Sequence, residues 1–270
     1  MSAPVFLADV GALDSCVAGS RHVLQGAEAR HAGVVQRRRT GERVDVVDGN
    51  GVRLRCVIGT VEPGRLVLDV VERADEPASP VALVLVQALA KGDRDELAIE
   101  AATEVGVDAV VPWQASRSIV VWRGERAAKS RSKWLATVRE AAKQARRAYV
   151  PSVAESVDTR GLVARVRSVV QDGGVALVLH EQAERAIASV DLPGPPGSPG
   201  EHGTRQVLVV VGPEGGITDE EVADLASAGA VPVRLGPHVL RTSTAGPVAV
   251  ALLAQRLGRW AVEPSDVTRP

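Results

Sequence analysis

Glu214, Arg241 and the hydroxyl run Thr242-Ser243-Thr244 stand in two short loops, each placed where a buried strand should end. The first loop, Gly212-Pro213-Glu214-Gly215-Gly216, follows the apolar run Val207 to Val211. The second, LGPHVLRTSTA from Leu235 to Ala245, follows the short strand signal Val231 to Leu235. A carboxylate, a guanidinium and hydroxyls on glycine- and proline-marked backbone can orient a ligand, stabilise an anion or move a proton. Open α/β sheets bind ligands at loops of this kind, beyond the carboxyl ends of adjacent strands. Thr218 followed by Glu221 predicts a capped helix start, and backbone amides there favour an anion or a carboxylate. A nucleotide-phosphate loop does not fit. The sequence has no GxxxxGK[ST] and no GxGxxG opening a helix with an acidic residue about 20 positions on. The hydroxyl run also reads more simply, as the N-cap cluster of a final apolar helix. His180 and His238 are weaker candidates, since a lone histidine is more often structural.

A second constellation is electrostatic. Between Gln114 and Tyr149 ten cationic residues face only Glu125 and Glu140, a local balance of +8 in a chain of net charge −1. Arg117, Arg139, Lys143, Arg146 and Arg147 belong to it, and Trp113, Trp122 and Trp134 lie in or beside it. Cations interleaved with aromatics suit phosphate contact and base stacking. The plainer alternative is a solvated helix whose Trp134 packs inward. Arg37, Arg38 and Arg39 form a further run, read either as a solvated face or as phosphate contacts of a small RNA-binding barrel.

The elements that must carry these groups change character along the chain. With 270 residues, 45% hydrophobic and 24% charged, the composition is that of an ordinary globular protein with room for one or two domains. Residues 1–73 have β character and one helical turn. Arg43 to Asp48 and Val52 to Gly59 alternate about Gly49-Asn50-Gly51, which predicts a hairpin, and Arg65 to Val71 adds a strand. Residues 74–80, with two prolines, read as a linker. From residue 81 to 262 strands alternate with helices. Val81 to Gln87 is a doubly covered strand, and Asp93 with Glu96 caps a helix whose inner face is Leu97, Ala101 and Val105. Gly106 stops that helix, and strands follow at Asp108 to Trp113 and Val175 to His180. The stretch from Leu192 to Gly200 is too rich in proline and glycine to pack, and 263–270 is a tail. Cys16 and Cys56 read as buried small hydrophobes rather than disulfide partners or metal ligands, and no metal is expected. The N-terminus lacks the pattern of a signal peptide. No apolar run nears the roughly 20 residues that span a bilayer, so a cytoplasmic location is expected.

GPEGGIT with the following Glu220-Glu221, then LGPHVLRTSTA leading into an apolar helix, resembles the SPOUT superfamily of knotted methyltransferases. Within it the chain is most similar to the small-subunit (16S) ribosomal RNA uridine-N3 methyltransferases. Lys91-Gly92-Asp93-Arg94, Ala102-Thr103-Glu104-Val105-Gly106, Ser116-Arg117-Ser118 and Glu140-Ala141-Ala142-Lys143-Gln144 ahead of Val150-Pro151 carry the likeness along the chain. The resemblance implies an α/β fold with a deep trefoil knot in residues 81–262, a PUA-like β-barrel in 1–73, and a homodimer. S-adenosylmethionine would be the cofactor and ribosomal RNA, within the small subunit, the partner. The cofactor residues it implies are Leu179, His180, Gly212, Pro213, Glu214, Gly216, Leu235, Gly236, Val239, Leu240 and Thr242. Arg241 and Glu214 are the catalytic candidates, Arg241 for the uracil oxygens or phosphate and Glu214 as a base or as organiser of its own loop. The family often has Arg at His238, an acid at Ser243, and Ser-Gly at Ala145-Arg146, so this chain departs from it there. Two other readings remain: a knotted methyltransferase for another RNA position such as a transfer RNA ribose 2′-hydroxyl, and a non-catalytic RNA-binding assembly factor.

Overall fold

A computed structural model describes residues 3–195 and 204–261. Residues 196–203, which include part of the proline- and glycine-rich stretch, lie outside the described residues, as do residue 262 and the tail 263–270. The chain forms two compact units, Met1–Ala78 with Arg139–Val150, and Ser79–Val138 with Pro151–Pro270.

The first unit is built on five strands, β1 (Val5–Leu7), β2 (Arg21–Gln25), β3 (Arg43–Val47), β4 (Val52–Glu62) and β5 (Arg65–Asp75), in the order β1-β3-β4-β5-β2. β1 runs parallel to β3 and every other pairing is antiparallel. Alternation drives the packing. Leu54, Cys56 and Ile58 of β4 and Leu66, Leu68 and Val70 of β5 are buried with Phe6, Leu13 and Leu24 in one core. The expected hairpin forms at Gly49-Asn50-Gly51, where the Asp48 carboxylate accepts from the amides of Asn50 (2.8 Å) and Val52 (3.0 Å). β4 and β5 run longer than expected, and β5 carries on to Asp75, into the stretch read as linker. Helix α1 (Gly26–Arg30) continues into a wide turn, His31–Val35. Both cysteines are free and buried, and burial pushes the Cys56 thiol up to about 12.

Arg139–Val150 packs as part of this unit because Ala148 buries itself with Val5, Leu7 and Val47. Arg53 fastens it, meeting Asp45 at 3.0 Å and Glu76 at 2.6 Å and donating to the Arg146 carbonyl at 2.8 Å. The Tyr149 hydroxyl donates to the Glu76 carbonyl at 2.7 Å.

Among the described residues the second unit holds seven parallel strands: β6 (Val81–Ala88), β7 (Ala109–Gln114), β8 (Ser152–Val153), β9 (Val157–Asp158), β10 (Val175–Leu179), β11 (Arg205–Val211) and β12 (Val231–Val233). Their order is β12-β10-β11-β6-β7-β8, with β9 also on β7. Helices α2 (Arg94–Glu104) and α6 (Thr242–Arg256) pack against each other and against β6, whereas α4 (Thr159–Gln171) and α5 (Asp219–Ser227) pack with the core formed by β6, β7, β10 and β11. Helix α3 (Glu125–Gln144) lies between β7 and β8 in the chain. β6 and β11 are near-continuous apolar runs because helices cover both their faces. A Cβ at Gly246 would stand 3.0 Å from Leu85 Cδ1, so the glycine lets α6 lie close on the sheet.

Three expectations need correction here. Asp93 occupies the N-cap position of α2 but in a left-handed conformation (φ 58) with no side-chain cap. The partner expected for it, Glu96, pairs with Lys133 at 2.6 Å instead. The buried face of α2 is Ala98, Ile99, Ala102 and Thr103, while Leu97 is 55% exposed. Apolar residues occupy several faces of this helix, and packing against α6 chooses among them where spacing does not. Finally, Trp113 and Trp134 are fully buried, and Trp122 sits edge-on to Trp134 at 5.1 Å. Buried rings have no face to offer a base, so the first two tryptophans pack the interior. Gly106 does end α2, at φ 107, with the Val107 amide returning to the Ala102 carbonyl.

Candidate functional site

Parallel strands bring the ends of β10, β11 and β12 to one edge of the second unit, and a cavity of about 670 Å³ opens there. That is within the range of about 300–1,000 Å³ usual for small-molecule sites. Leu179 and His180 wall it after β10, Gly212, Pro213, Glu214 and Gly216 after β11, and Leu235, Gly236, Val239, Leu240, Arg241 and Thr242 after β12. The residues singled out for a cofactor and for catalysis therefore lie around one space. Leu179, Pro213, Ile217, Leu235, Val239 and Leu240 make apolar walls, and Arg94, Arg117, Arg234 and Arg241 face Glu181 and Glu214 across the charge balance.

The β11 loop is held at every step. Thr242 is not a helix cap: Arg241 holds the N-cap position of α6 with no side-chain cap, and the Thr242 hydroxyl donates to the Gly212 carbonyl at 2.8 Å. The Thr242 hydroxyl oxygen also accepts from Gln87 Nε2 at 2.9 Å, so both of its bonds are internal. A Cβ at Gly212 would meet Ile217 Cγ1 at 2.6 Å, closer than any side chain tolerates. Gly216 turns the chain at φ 77, and its amide returns to the Pro213 carbonyl.

Glu214 accepts from the Lys91 amide at 3.1 Å and from Arg94 Nη1 at 2.7 Å. Partial burial alone would raise its pKa, but hydrogen bonds from its own loop's backbone, from Arg94 and from Lys91 outweigh that and lower it. An ionised, paired carboxylate is a weak proton acceptor. Its bonds tie the loop to Lys91 and Arg94. Sequence reasoning gave no place in this cavity to Arg94 or Arg117. Arg94 comes from α2 and Arg117 from the turn after β7, and no local signal links either to the β11 loop.

The α5 N-terminus is not an open anion site. Thr218 and Glu221 form the expected capping box, and Asp219 and Glu220 add acidic groups to the same turn. The β12 loop differs from its neighbour. Among the described residues, Leu235 to Leu240 make no hydrogen bond, and Val239 is 79% exposed. His238 lines the cavity mouth, whereas Ser243 is not part of its wall.

The candidate phosphate contacts divide between the units. Arg117 is exposed in the second unit and donates to the Gly215 carbonyl at 2.9 Å. In the first unit Arg37, Arg39, Arg139 and Arg146 are exposed, Arg147 is half-buried, and Arg38 pairs with Glu42 at 3.3 Å. Lys143 is committed: its side chain is 9% exposed and its ammonium meets Glu28 at 2.8 Å and Glu140 at 3.3 Å. No group of residues fit to hold a metal ion occurs among the described residues.

The family model of the RNA methyltransferase domain matches residues 77–254. A ribosomal RNA small subunit methyltransferase E of Mycobacterium bovis is 44% identical over 248 residues, 92% of this chain and 91% of that one. The protein of the same name from Bacillus subtilis is 30% identical over 237 residues, 86% of this chain and 88% of that one. A crystal structure of the Neisseria gonorrhoeae ribosomal RNA small subunit methyltransferase E, bound to S-adenosyl methionine, superposes with a TM-score of 0.80 at 26% identity, covering 94% of this chain and 98% of that one.

Proposed function

From the premise that the chain belongs to the ribosomal RNA small subunit methyltransferase E family, we propose that it methylates N3 of a uridine in 16S ribosomal RNA. The chain is an S-adenosylmethionine-dependent RNA methyltransferase acting on small-subunit ribosomal RNA. The observation that carries the reading is the single cavity into which the loops after β10, β11 and β12 converge. Its residues fit the cofactor: apolar walls for an adenine and a methylene chain, and polar backbone at the strand ends for the charged groups. Leu179, His180, Gly212, Pro213, Gly216, Leu235, Gly236, Val239 and Leu240 would hold it, with Thr242 acting through the loop it fastens. When bound, the cofactor supplies an electrophilic methyl group on its sulfonium.

The chain's own task is to present uracil N3 in line with that group and to stabilise the anion left as the N3 proton departs. Arg241, exposed at the cavity wall, is assigned to the uracil oxygens, where a guanidinium can donate two parallel hydrogen bonds. With Glu214 paired to Arg94, the proton passes to solvent water and the arginines stabilise the anion. Arg37, Arg39, Arg139 and Arg146 are assigned to ribosomal RNA phosphates, with Arg38 and Arg147 beside them and Lys143 in a structural role. The reading includes a PUA-like barrel in residues 1–73, supported by the five-stranded sheet, and a deep trefoil knot in 81–262, supported by the family and by the insertion of β10 between β11 and β12. It also includes a homodimer and a cytoplasmic location, where small subunits are assembled.

Arg241→Ala should lower methyl transfer about 10²–10³-fold with cofactor affinity retained. Wild-type turnover would remove Arg241 from the mechanism. Nucleoside mass spectrometry of 16S ribosomal RNA from cells with and without the protein tests the position. N3-methyluridine should vanish in its absence, and loss of a 2′-O-methyl nucleoside instead would overturn the base assignment.

A further inference from the structure

Glu221 does more than close a helix end. The residue is 3% exposed, and its carboxylate takes five hydrogen bonds from three separate places in the chain. Oε2 accepts from the amide and hydroxyl of Thr218, both at 3.1 Å; the amide bond, together with the Glu221 amide donating to Thr218 Oγ at 3.2 Å, is the capping box. Oε1 accepts from the Ser116 amide at 2.8 Å, the Ser116 hydroxyl at 2.9 Å and the Thr159 hydroxyl at 2.8 Å. A helix cap requires none of the Oε1 bonds.

Ser116 opens the tight turn after β7, closed by the Ser118 amide on the Ala115 carbonyl. Arg117, at the tip of that turn, lies across the β11 loop with Nη1 on the Gly215 carbonyl at 2.9 Å. The loop is shaped to receive it. A Cβ at Gly215 would stand 3.2 Å from Arg117 Cβ, and one at Gly216 would stand 3.7 Å from Nη1. Gly215 has no positive φ to explain it, so room for the arginine stem is the reason for a glycine there. One Arg117 donor is spent on Gly215, and Arg117 is among the residues that wall the cavity.

We propose that Glu221 is a positioning residue which, through the Ser116-Arg117-Ser118 turn, holds Arg117 in the cavity wall as a second cation for the uracil anion. The proposal rests on the methyltransferase reading and deepens it. It pairs Arg117, fixed from the β7 side, with Arg241, carried at the end of the β12 loop, so the negative charge is met from two elements. Arg117 is the catalytic residue of the pair and Glu221 acts only through it.

A double-mutant cycle with Glu221→Gln and Arg117→Ala tests this, reading kcat, cofactor Kd by calorimetry, and Tm. Arg117→Ala should lower kcat about 10²-fold and Glu221→Gln about 10-fold, each with Kd within about 2-fold of wild type. The double variant should be no slower than Arg117→Ala, and Arg117→Lys should recover part of the loss. Full turnover in Glu221→Gln, or a double variant with the product of the two losses, overturns the proposal. If Glu221→Gln does not fold, Ser116→Ala takes its place in the cycle, with about a 3-fold loss expected. A wild type that methylates no RNA defeats the methyltransferase reading instead. Positioning is then read from the Arg117 guanidinium NMR signals, which Glu221→Gln should shift and broaden; unchanged signals overturn it.

Discussion

The loops after β11 and β12 line the same cavity, yet they are held in opposite ways. Gly212 to Gly216 is fastened by the Thr242 hydroxyl, by Lys91 and Arg94 on Glu214, and by Arg117 on Gly215. Leu235 to Leu240 makes no hydrogen bond among the described residues and exposes Val239 and Leu240. The first loop is therefore a pre-formed wall, whose geometry the fold has already fixed. The second has no such hydrogen-bonded support, so fixing it against a ligand would draw on part of the binding free energy. A site divided in this way can be exact about the reacting geometry and still admit a bulky ligand.

The contrast can be broken most severely at Gly212. Gly212→Ala forces a Cβ onto Ile217 and should cost about 1–3 kcal/mol in chemical denaturation, with cofactor binding lost. Thr242→Val should cost about 1–3 kcal/mol, because the Gly212 carbonyl loses its donor and Gln87 an acceptor. If Thr242→Val left stability unchanged, the first loop would not be held as described.

Acid sharpens the same point. Burial would raise the Glu221 pKa, but amide hydrogen bonds from Ser116 and Thr218 and hydroxyl bonds from Thr159 and Ser116 lower it. A carboxylate lowered on folding stabilises fully above its ordinary value and loses that contribution as pH falls through the lowered one. Acid titration of unfolding free energy should therefore show wild type and Glu221→Gln well separated at neutral pH and converging in acid. Parallel curves would mean that Glu221 is not the source.

The smallest effect belongs to the second loop. Leu240→Ala should shift stability by no more than about 0.5 kcal/mol while weakening cofactor binding measurably by calorimetry. A large loss of stability there would mean the loop is as fixed as its neighbour.

Local features were legible in the sequence, and distant ones were not. Gly49-Asn50-Gly51 announces its hairpin because turn and alternation sit within a few residues. Thr218 and Glu221 announce their cap for the same reason. The other half of Glu221 is invisible, since Ser116 and Thr159 meet it only through the tertiary fold. Thr242 shows the same limit: three hydroxyl residues before a helix look like a cap, and only Gln87 and Gly212 reveal a latch. Trp113 read as available for stacking because charge surrounds it in sequence, and for Trp134 the inward-packing alternative is the one that holds; in space both are buried. The two loop motifs read as the ends of adjacent strands, whereas β10 lies between those strands; that the loop after β10 completes the site was readable only as a family likeness, because nothing in either stretch specifies the insertion.

The position of β6 bears on how the chain folds as it is made. Val81 pairs with Arg205 and Leu83 with Val207, so β6 waits for a neighbour synthesised roughly 120 residues later, whereas β7 follows it closely. At a translation rate of about 5–20 residues per second, the central strand would spend on the order of ten seconds with one edge open. An open apolar edge is a template for wrong pairing. Newly made chain should therefore depend on a holding chaperone until β11 emerges, and slower elongation across residues 89–204 should lower the soluble yield.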